Sequence, residues 1–448
     1  MDTTTTTSLV DEARARAAEI LLANGSELGL LGGGGGAYKQ VWARDSMICG
    51  LALLLLDAGR PIHRRSLATL ERHQSPLGNV PHNVGFPNLA DAALIAHGGS
   101  LPPEAQDNAP VVDTIHSGCI DNSLWFILGH YAEWRTSGDV ARLRAAWPAI
   151  QRALLWLRYQ DSNECGLLEV HEAMDWADLF PNHYNSLYPN ALYAAVWRAM
   201  GHLAAALGEP AAPYFTTAAE TTWKVNQLLW VGPEVPRDWP WIERYRREWI
   251  YPARRVDTEL VTRPYYLPYM GFRDYGDRCD TLGNCLAILL GVASPAQATR
   301  ILNYLHGAGL NEPYPIRALD HPIDLGDPDW REYLRLRDLN KPDHYHNGGI
   351  WPFIGGFYVA ALVAAGRRDE AARQLACLAA LNHQGVSGPW EFTEWAHGRS
   401  GRPMGFPRQS WSAALYIYAY ETVQRGTPPF FDAQWTHDVT RDAKGDNS

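Results

Sequence analysis

The sequence predicts an all-α fold, an (α/α)6 barrel of six helical hairpins, on three observations. Apolar residues recur at helical spacing over most of the 448-residue chain. Twelve such segments can be delimited. Short breaks join many of them in pairs, whereas long segments rich in Pro, Gly and aromatic residues separate the pairs. Short breaks favour antiparallel neighbours. Six hairpins closed into a ring would gather the long connections at one end.

The expected helices are 8–23, 46–57, 63–72, 120–137, 139–159, 189–207, 212–230, 279–292, 295–306, 349–366, 368–381 and 409–424. Breaks such as Thr136-Ser137-Gly138 and Ala365-Gly366-Arg367 fit helix ends. The long connections are 74–119, 160–188, 231–278, 307–348 and 382–408. Loops on a rigid scaffold carry most binding and catalytic groups, so the search for function starts there. Nothing marks a linker, so residues 1–448 are expected to form a single domain. The tails 1–7 and 436–448 are expected to be disordered.

Composition excludes several functions. A net charge of −10 argues against nucleic acid or an anionic membrane as the main partner. The apolar stretches Leu51–Leu56 and Leu286–Ala293 are too short to span a bilayer. The start of the chain lacks the features of a secretory signal, so a cytoplasmic location is expected. Six cysteines without a CxxC pair are expected to be free thiols. The 18 tryptophans and 21 tyrosines suit either core packing or stacking on sugar rings. Oligomeric state is open, a homo-oligomer included.

Five clusters in the loops carry chemistry. In the first, Tyr38 and Trp42 precede Arg44-Asp45 at the start of a helix, just after the run Gly32–Gly36. An Arg-Asp pair can hold several hydroxyls, though helix capping by Asp45 is the plainer reading. Without a Gly-Lys-Ser/Thr ending the glycine run is a poor phosphate loop and suits a mobile flap. The second cluster, 113–125, brings Asp121, Asn122 and Ser123 to a helix start. The third holds Glu169, Glu172, Asp175 and Asp178 within ten residues, with Trp176 among them and Asn182, Tyr184, Asn185, Tyr188 and Asn190 following. An apolar neighbour such as Trp176 raises a carboxyl pKa, as a general acid requires. The fourth, 343–352, contains His344, His346, Asn347 and Trp351. Its two histidines lack a full ligand set, so no metal is expected, and no other cofactor either. The fifth, 390–398, sets Glu394 between Phe392 and Trp395, with Trp390 and Glu391 before them. A carboxylate far in sequence from the first suits the water-activating base of an inverting glycosidase.

Together these clusters resemble the alkaline/neutral invertases of glycoside hydrolase family 100. Asp280-Thr281-Leu282-Gly283-Asn284-Cys285 is similar to that family's Leu-Gly-Asn-Cys helix. His346-Asn347-Gly348-Gly349-Ile350-Trp351-Pro352 resembles its His-Asn-Gly-Gly-Ser-Trp-Pro motif. Phe392-Thr393-Glu394-Trp395 and Gln409-Ser410-Trp411-Ser412 resemble its Phe-Pro-Glu-Tyr and Gln-Thr-Trp-Ser segments. The likeness runs in matching order from about Val41 to about Tyr420. It implies an (α/α)6 barrel and inverting hydrolysis of a short α-glucoside, with sucrose or a small glucosylated solute as substrate. It also implies Asp175 as general acid, Glu394 as general base and Arg44-Asp45 as the clamp on the cleaved sugar. Asp178 and Glu391 are the reserves. The acid segment departs from the family's Ile-Asp-Arg-Arg-Met-Gly, and Met174-Asp175 with its Asn-rich sequel is similar to the family 63 α-glucosidases, which include glucosylglycerate and mannosylglycerate hydrolases. Two other functions stand beside this one, a sugar epimerase or lyase using His116, His171, His344 or His346, and a non-catalytic sugar-binding barrel.

Overall fold

A computed structural model describes residues 3–85, 111–112 and 119–436. Six helices form a closed inner ring: α2 (Ala43–Leu53), α4 (Asp121–Ser137), α6 (Leu187–Leu207), α10 (Thr281–Leu289), α12 (Pro352–Ala364) and α14 (Ser410–Arg425). Each packs on the next, and α14 returns to α2. Six outer helices cover them: α1 (Thr3–Ala23), α3 (Arg60–Arg72), α5 (Val140–Arg158), α7 (Ala212–Leu229), α11 (Pro295–Gly307) and α13 (Arg368–His383). The (α/α)6 barrel expected from the sequence is the fold observed.

The ring closes through the chain's first element. The N-terminal α1 is the outer partner of the last inner helix, packing on α13 and α14. Arg14 pairs with Glu421 at 3.0 Å, and Tyr416 donates to the Val10 carbonyl at 2.9 Å. Residues 3–7, expected as a tail, are instead the first turns of α1; residues 1–2 and 437–448 lie outside the described residues. Two short helices in the 231–278 connection, α8 (Trp239–Tyr245) and α9 (Ile250–Glu259), were not anticipated. Few of their residues are buried: Ile242 in α8, and Pro252, Ala253 and Val256 in α9. A final short helix, α15, covers Ala433–Thr436.

Inner helices touch neighbours on several sides, which explains their nearly continuous apolar sequences. In α12 every residue from Pro352 to Val363 is buried. The short connections at the far end are made by turn chemistry. Gly138 ends α4 at φ 63°, a left-handed conformation that costs glycine no Cβ clash, and Asp139 then caps α5 by accepting from Arg142 N at 2.9 Å. The N-termini of all six inner helices therefore face the end that holds the long connections.

Those connections are stitched together by small antiparallel pairings. β1 (Gln40–Trp42), β2 (Asn83–Gly85) and β3 (Val111–Val112) form one sheet in that order, with Gln40 opposite Gly85. β4 (Asn185–Ser186) pairs with β5 (Tyr269–Met270), and β6 (Trp395–Ala396) with β7 (Pro403–Met404). Ile350 and Ala396 exchange backbone hydrogen bonds at 2.8 and 2.7 Å, fastening the loop before α12 to the loop before α14. Among the described residues no helix is long and apolar enough to cross a membrane.

Helices α12 and α14 come close together at Gly356, where an added Cβ would stand 2.4 Å from the Leu415 carbonyl of α14. Gly356→Val should therefore overpack the inner ring at a cost of about 1–3 kcal/mol. Thermal melting by circular dichroism should show a clear drop in Tm; an unchanged Tm would mean the ring tolerates a wider spacing there.

Candidate active site

The inner-helix N-termini surround a small cavity lined by Tyr38, Trp42, Arg44, Asp45, His82, Trp176, Asp178, Tyr345, His346, Glu394, Gln409 and Trp411. Larger hollows open on the surface, against Trp230, Arg237 and Arg300 and against Arg158, Glu164 and Lys224. Neither shares a lining residue with the central cavity.

Glu394 enters from the loop before α14. Its side chain is 6% exposed. Tyr38 Oη donates to Oε1 at 3.0 Å, and Phe406 N donates to Oε2 at 3.2 Å. Tyr38 is brought there by the glycine run. Gly33 and Tyr38 close a backbone bridge, and all four glycines from Gly33 to Gly36 have positive φ, between 61° and 105°. A Cβ at Gly33 would meet the Arg408 carbonyl at 2.4 Å, so glycine is required where this turn packs on the α14 loop. Burial raises the Glu394 carboxyl to about 7, against the lowering effect of its bonds to Phe406 N and Tyr38; Asp45 and Asp178 push it the same way as burial.

Arg44 and Asp45 occupy the first turn of α2. Arg44 Nε lies 3.1 Å from Asp121 Oδ2, and Nη1 donates to the Trp176 carbonyl at 3.3 Å. Asp45 is raised to about 6 by burial, opposed by the Arg44 guanidinium. Asp121 is wholly buried behind the wall and accepts from Tyr188 Oη at 3.0 Å, which in turn accepts from Trp125 Nε1 at 2.9 Å. Asn122 stands behind His82, their side chains 3.5 Å apart. Asp121, Asn122 and Tyr188 thus hold the wall from behind.

The turn 173–180 carries two of the clustered carboxylates. Ala173 N bonds to the Phe180 carbonyl at 3.2 Å and Asn340 Nδ2 to the Leu179 carbonyl at 3.1 Å. Asp178 is half-buried on the cavity wall. Asp175, expected in the cavity, is 2% exposed and absent from its lining, with Oδ1 accepting from Ala177 N at 2.8 Å. Burial raises its carboxyl to about 8, helped by the buried carboxylates of Asp121 and Asp280.

Aromatic rings complete the wall. Trp176 meets His346, Trp351 and Phe353 edge-on with centroids 5.0–5.6 Å apart, and Phe353 stacks on Trp411 at 4.4 Å. Trp351 lies one layer back and donates to the Tyr345 carbonyl at 2.9 Å. Burial holds the His346 imidazole neutral, well below its ordinary pKa.

Several expected site residues have structural work instead. Asn185 accepts from Trp249 Nε1 at 3.1 Å and donates to the Leu168 carbonyl at 3.2 Å. Asn347 bonds both backbone groups of Ile323, at 2.7 and 2.8 Å. Trp390 reaches the outside of the ring and donates to Glu12 at 3.1 Å. Glu391 accepts from Val386 N and Ser387 N at 2.8 and 2.7 Å, closing a turn. His82 and Tyr345 line the cavity without having been singled out; their place in long connections was the available signal. Residues 113–118 lie outside the described residues. Among the described residues no group of three His, Cys, Asp or Glu is disposed to hold a metal ion.

Residues 269–425 match the family described as alkaline and neutral invertase. Alkaline/neutral invertase CINV1 of Arabidopsis thaliana is 28% identical over 177 residues, 38% of this chain and 30% of that protein. Probable alkaline/neutral invertase D of the same plant is 32% identical over 143 residues, 31% of this chain and 26% of that protein. The matched stretches thus span under a third of these relatives. Among solved structures, a GH63 mannosylglycerate hydrolase from Thermus thermophilus, in complex with Tris and D-glycerate, superposes with a TM-score of 0.64 at 16% identity, covering 92% of this chain and 100% of that one. A rhamnosidase from Klebsiella oxytoca with rhamnose bound gives 0.54 at 17% identity, covering 86% and 58%. These likenesses carry the barrel fold.

The raised carboxyl of Asp175 has a consequence for stability. From pH 4 to 8 the folded chain holds a proton there that the unfolded chain has released, so stability falls as pH rises through this window. Asp175→Asn removes that titration. Its Tm relative to the parent should climb steadily between pH 4 and 8; a constant difference would show that Asp175 titrates normally.

Proposed function

We propose that the protein is an inverting glycoside hydrolase acting on a short α-glucoside. The observation that carries this reading is the cavity itself. A carboxylate held by Tyr38 and Phe406 N shares an aromatic-walled cavity with an Arg-Asp pair and a second carboxylate. The invertase likeness over 269–425 supports the same reading, because that stretch contains Glu394, Tyr345 and His346.

The sugar enters with its ring hydroxyls on Arg44 and Asp45 and its apolar faces against Trp42, Trp176 and Trp411. Glu394 accepts a proton from a water on the face of the ring opposite the leaving group. That water's oxygen forms the new bond to the anomeric carbon as the glycosidic C–O bond breaks through an oxocarbenium-like transition state. A carboxylic acid from the turn 173–180 gives its proton to the departing oxygen. Glu394 ends protonated and the acid ionised, and exchange with solvent resets both. An inverting pair stands about 6.5–9.5 Å apart to leave room for the water. Sucrose and small glucosylated solutes are the substrates to try first, and glucose is the product common to them.

Early-time proton NMR of an α-glucoside digest should show β-glucose before mutarotation; initial α-glucose would mean retention and a different pair. Glu394→Gln keeps shape but loses basicity, and should cost about 10²–10⁴-fold in kcat with KM within a few-fold of the parent. A near-parental rate would remove Glu394 from the mechanism.

The base must be ionised to act. With its pKa raised to about 7, kcat/KM should fall tenfold per pH unit below that value. A profile flat down to pH 5 would contradict the assignment.

A further inference from the structure

We infer that Asn24, the residue after α1, is a positioning residue for the general base: its side-chain amide pins the neck of the loop that carries Glu394. The inference rests on the hydrolase reading and extends it to a residue that is not part of the cavity wall.

The base loop is closed at its neck by backbone pairing. Arg408 N donates to the Glu391 carbonyl at 2.5 Å and Gln409 N to the Phe392 carbonyl at 3.1 Å, so residues 393–407 leave and return at one point. Glu394 stands just beyond that point and takes the Phe406 N–H across the loop. The neck is strained. Trp390, Phe392 and Arg408 have φ of 62°, 44° and 56°, in the left-handed region that a Cβ disfavours. Such backbone persists only where its surroundings over-determine it.

Those surroundings come from the start of the chain. Asn24 Nδ2 donates to the Arg408 carbonyl at 3.1 Å and to Ser410 Oγ at 2.9 Å. A carbonyl oxygen can only accept, so the amide NH2 must be the group that faces Arg408. Ser410 N donates to the Gly32 carbonyl at 3.1 Å, and Ser410 Oγ to the Leu31 carbonyl at 2.6 Å. The Asn24 carbonyl accepts from Leu31 N at 3.0 Å, which fixes that stretch to the end of α1. On the other side of the neck, Glu12 of α1 accepts from Trp390 Nε1 at 3.1 Å. Glu12 and Asn24 therefore hold two of the three strained residues. Without the Asn24 amide, the Arg408 carbonyl would keep, among the described residues, the longer 3.4 Å bond from Gly34 N.

The consequence reaches Glu394 through its own hydrogen bonds. A relaxed neck moves Glu394 relative to Tyr38 Oη and Phe406 N. Both donors favour the carboxylate and lower its pKa, so their loss raises it. The other titratable groups facing Glu394 are Asp45 of α2, Asp178 of the turn before α6 and Tyr345 of the loop before α12. A change at Asn24 alters none of them directly. The rate falls as Glu394 takes up a proton, so the acidic limb of kcat/KM should move to higher pH.

The test compares the parent with Asn24→Leu, Asn24→Ala, Ser410→Ala, Arg14→Ala and Glu394→Gln. Leu matches the size of Asn and adds no charge. Ser410→Ala removes one of the two acceptors of the amide, so it is the milder variant should the Asn24 variants fail to fold. Arg14→Ala loosens α1 elsewhere, at its pair with Glu421 of α14. Glucose release from sucrose, maltose and glucosylglycerate is measured against pH, and folding by circular dichroism.

Both Asn24 variants should lose about 10–10²-fold in kcat on the substrate that the parent cleaves, as misplacement of a reacting group does, with KM within a few-fold. Their acidic limb should lie above that of the parent, and Ser410→Ala should show the same shift in smaller measure. Arg14→Ala should keep the parental kcat and limb even if its Tm drops. Folded Asn24 variants with parental kcat, or with a lower kcat on an unmoved limb, would overturn the inference. So would Arg14→Ala reproducing both the loss and the shift, because the effect would then be general loosening. A parent that releases glucose from no substrate, or Glu394→Gln at the parental rate, would overturn the hydrolase or base reading itself, and this inference with it.

Discussion

The end of the barrel that carries the long loops is organised around one buried cation. Arg44 is 5% exposed, with Asp121 at 3.1 Å and the Trp176 carbonyl at 3.3 Å. An unpaired guanidinium in such a place would cost several kcal/mol, and so would the carboxylates near it. Together they become tolerable, and the arrangement binds three parts of the chain. Arg44 belongs to α2, Asp121 to α4 and Trp176 to the turn before α6. Loss of Arg44 would leave Asp121 buried without a countercharge and free the turn that bears Asp175 and Asp178. The same cation faces the cavity, so the group that assembles the wall is also a donor to whatever enters.

The remaining charge favours the proposed chemistry. Asp45, Asp178 and Glu394 line the cavity, with Asp121, Asp175 and Asp280 close behind. Positive charge that develops on a sugar ring meets carboxylates preorganised in a region with little water, where such interactions are strong. Burial also keeps some of these groups protonated near neutrality, which eases the repulsion among them. Asp175, raised to about 8, carries a proton at pH 7. Its neutrality lets Asp121 and Asp280 be buried nearby with only one guanidinium to offset them.

The barrel was legible because its inner helices are apolar on nearly every side and its connections alternate between short and long. Boundaries shifted by a few residues, as at the starts of α2, α3 and α12. Arg44 and Asp45 were legible as a charged pair at a helix start, and Trp176 and Glu394 as members of polar and aromatic clusters in long connections. Which of two clustered carboxylates faces inward was not legible. That depends on a positive φ at Ala173 and a backbone pairing to Phe180, and neither leaves a mark in residue type. Asn185 and Asn347 look like sugar ligands in sequence, yet their amides staple loops to Leu168 and Ile323. Trp390 was misplaced for another reason. Its partner Glu12 lies 378 residues away, on the helix that closes the ring.

The central claim is that one sugar ring is held by Arg44 and Asp45 between Glu394 and the acid-bearing turn. A crystal structure of Glu394→Gln with an intact α-glucoside tests it most directly. The account predicts ring hydroxyls on Arg44 and Asp45, the glycosidic oxygen within hydrogen-bond reach of a carboxyl of the 173–180 turn, and a water between the anomeric carbon and residue 394. A glucoside bound elsewhere, or bound here with its glycosidic oxygen facing away from the 173–180 turn, would contradict it.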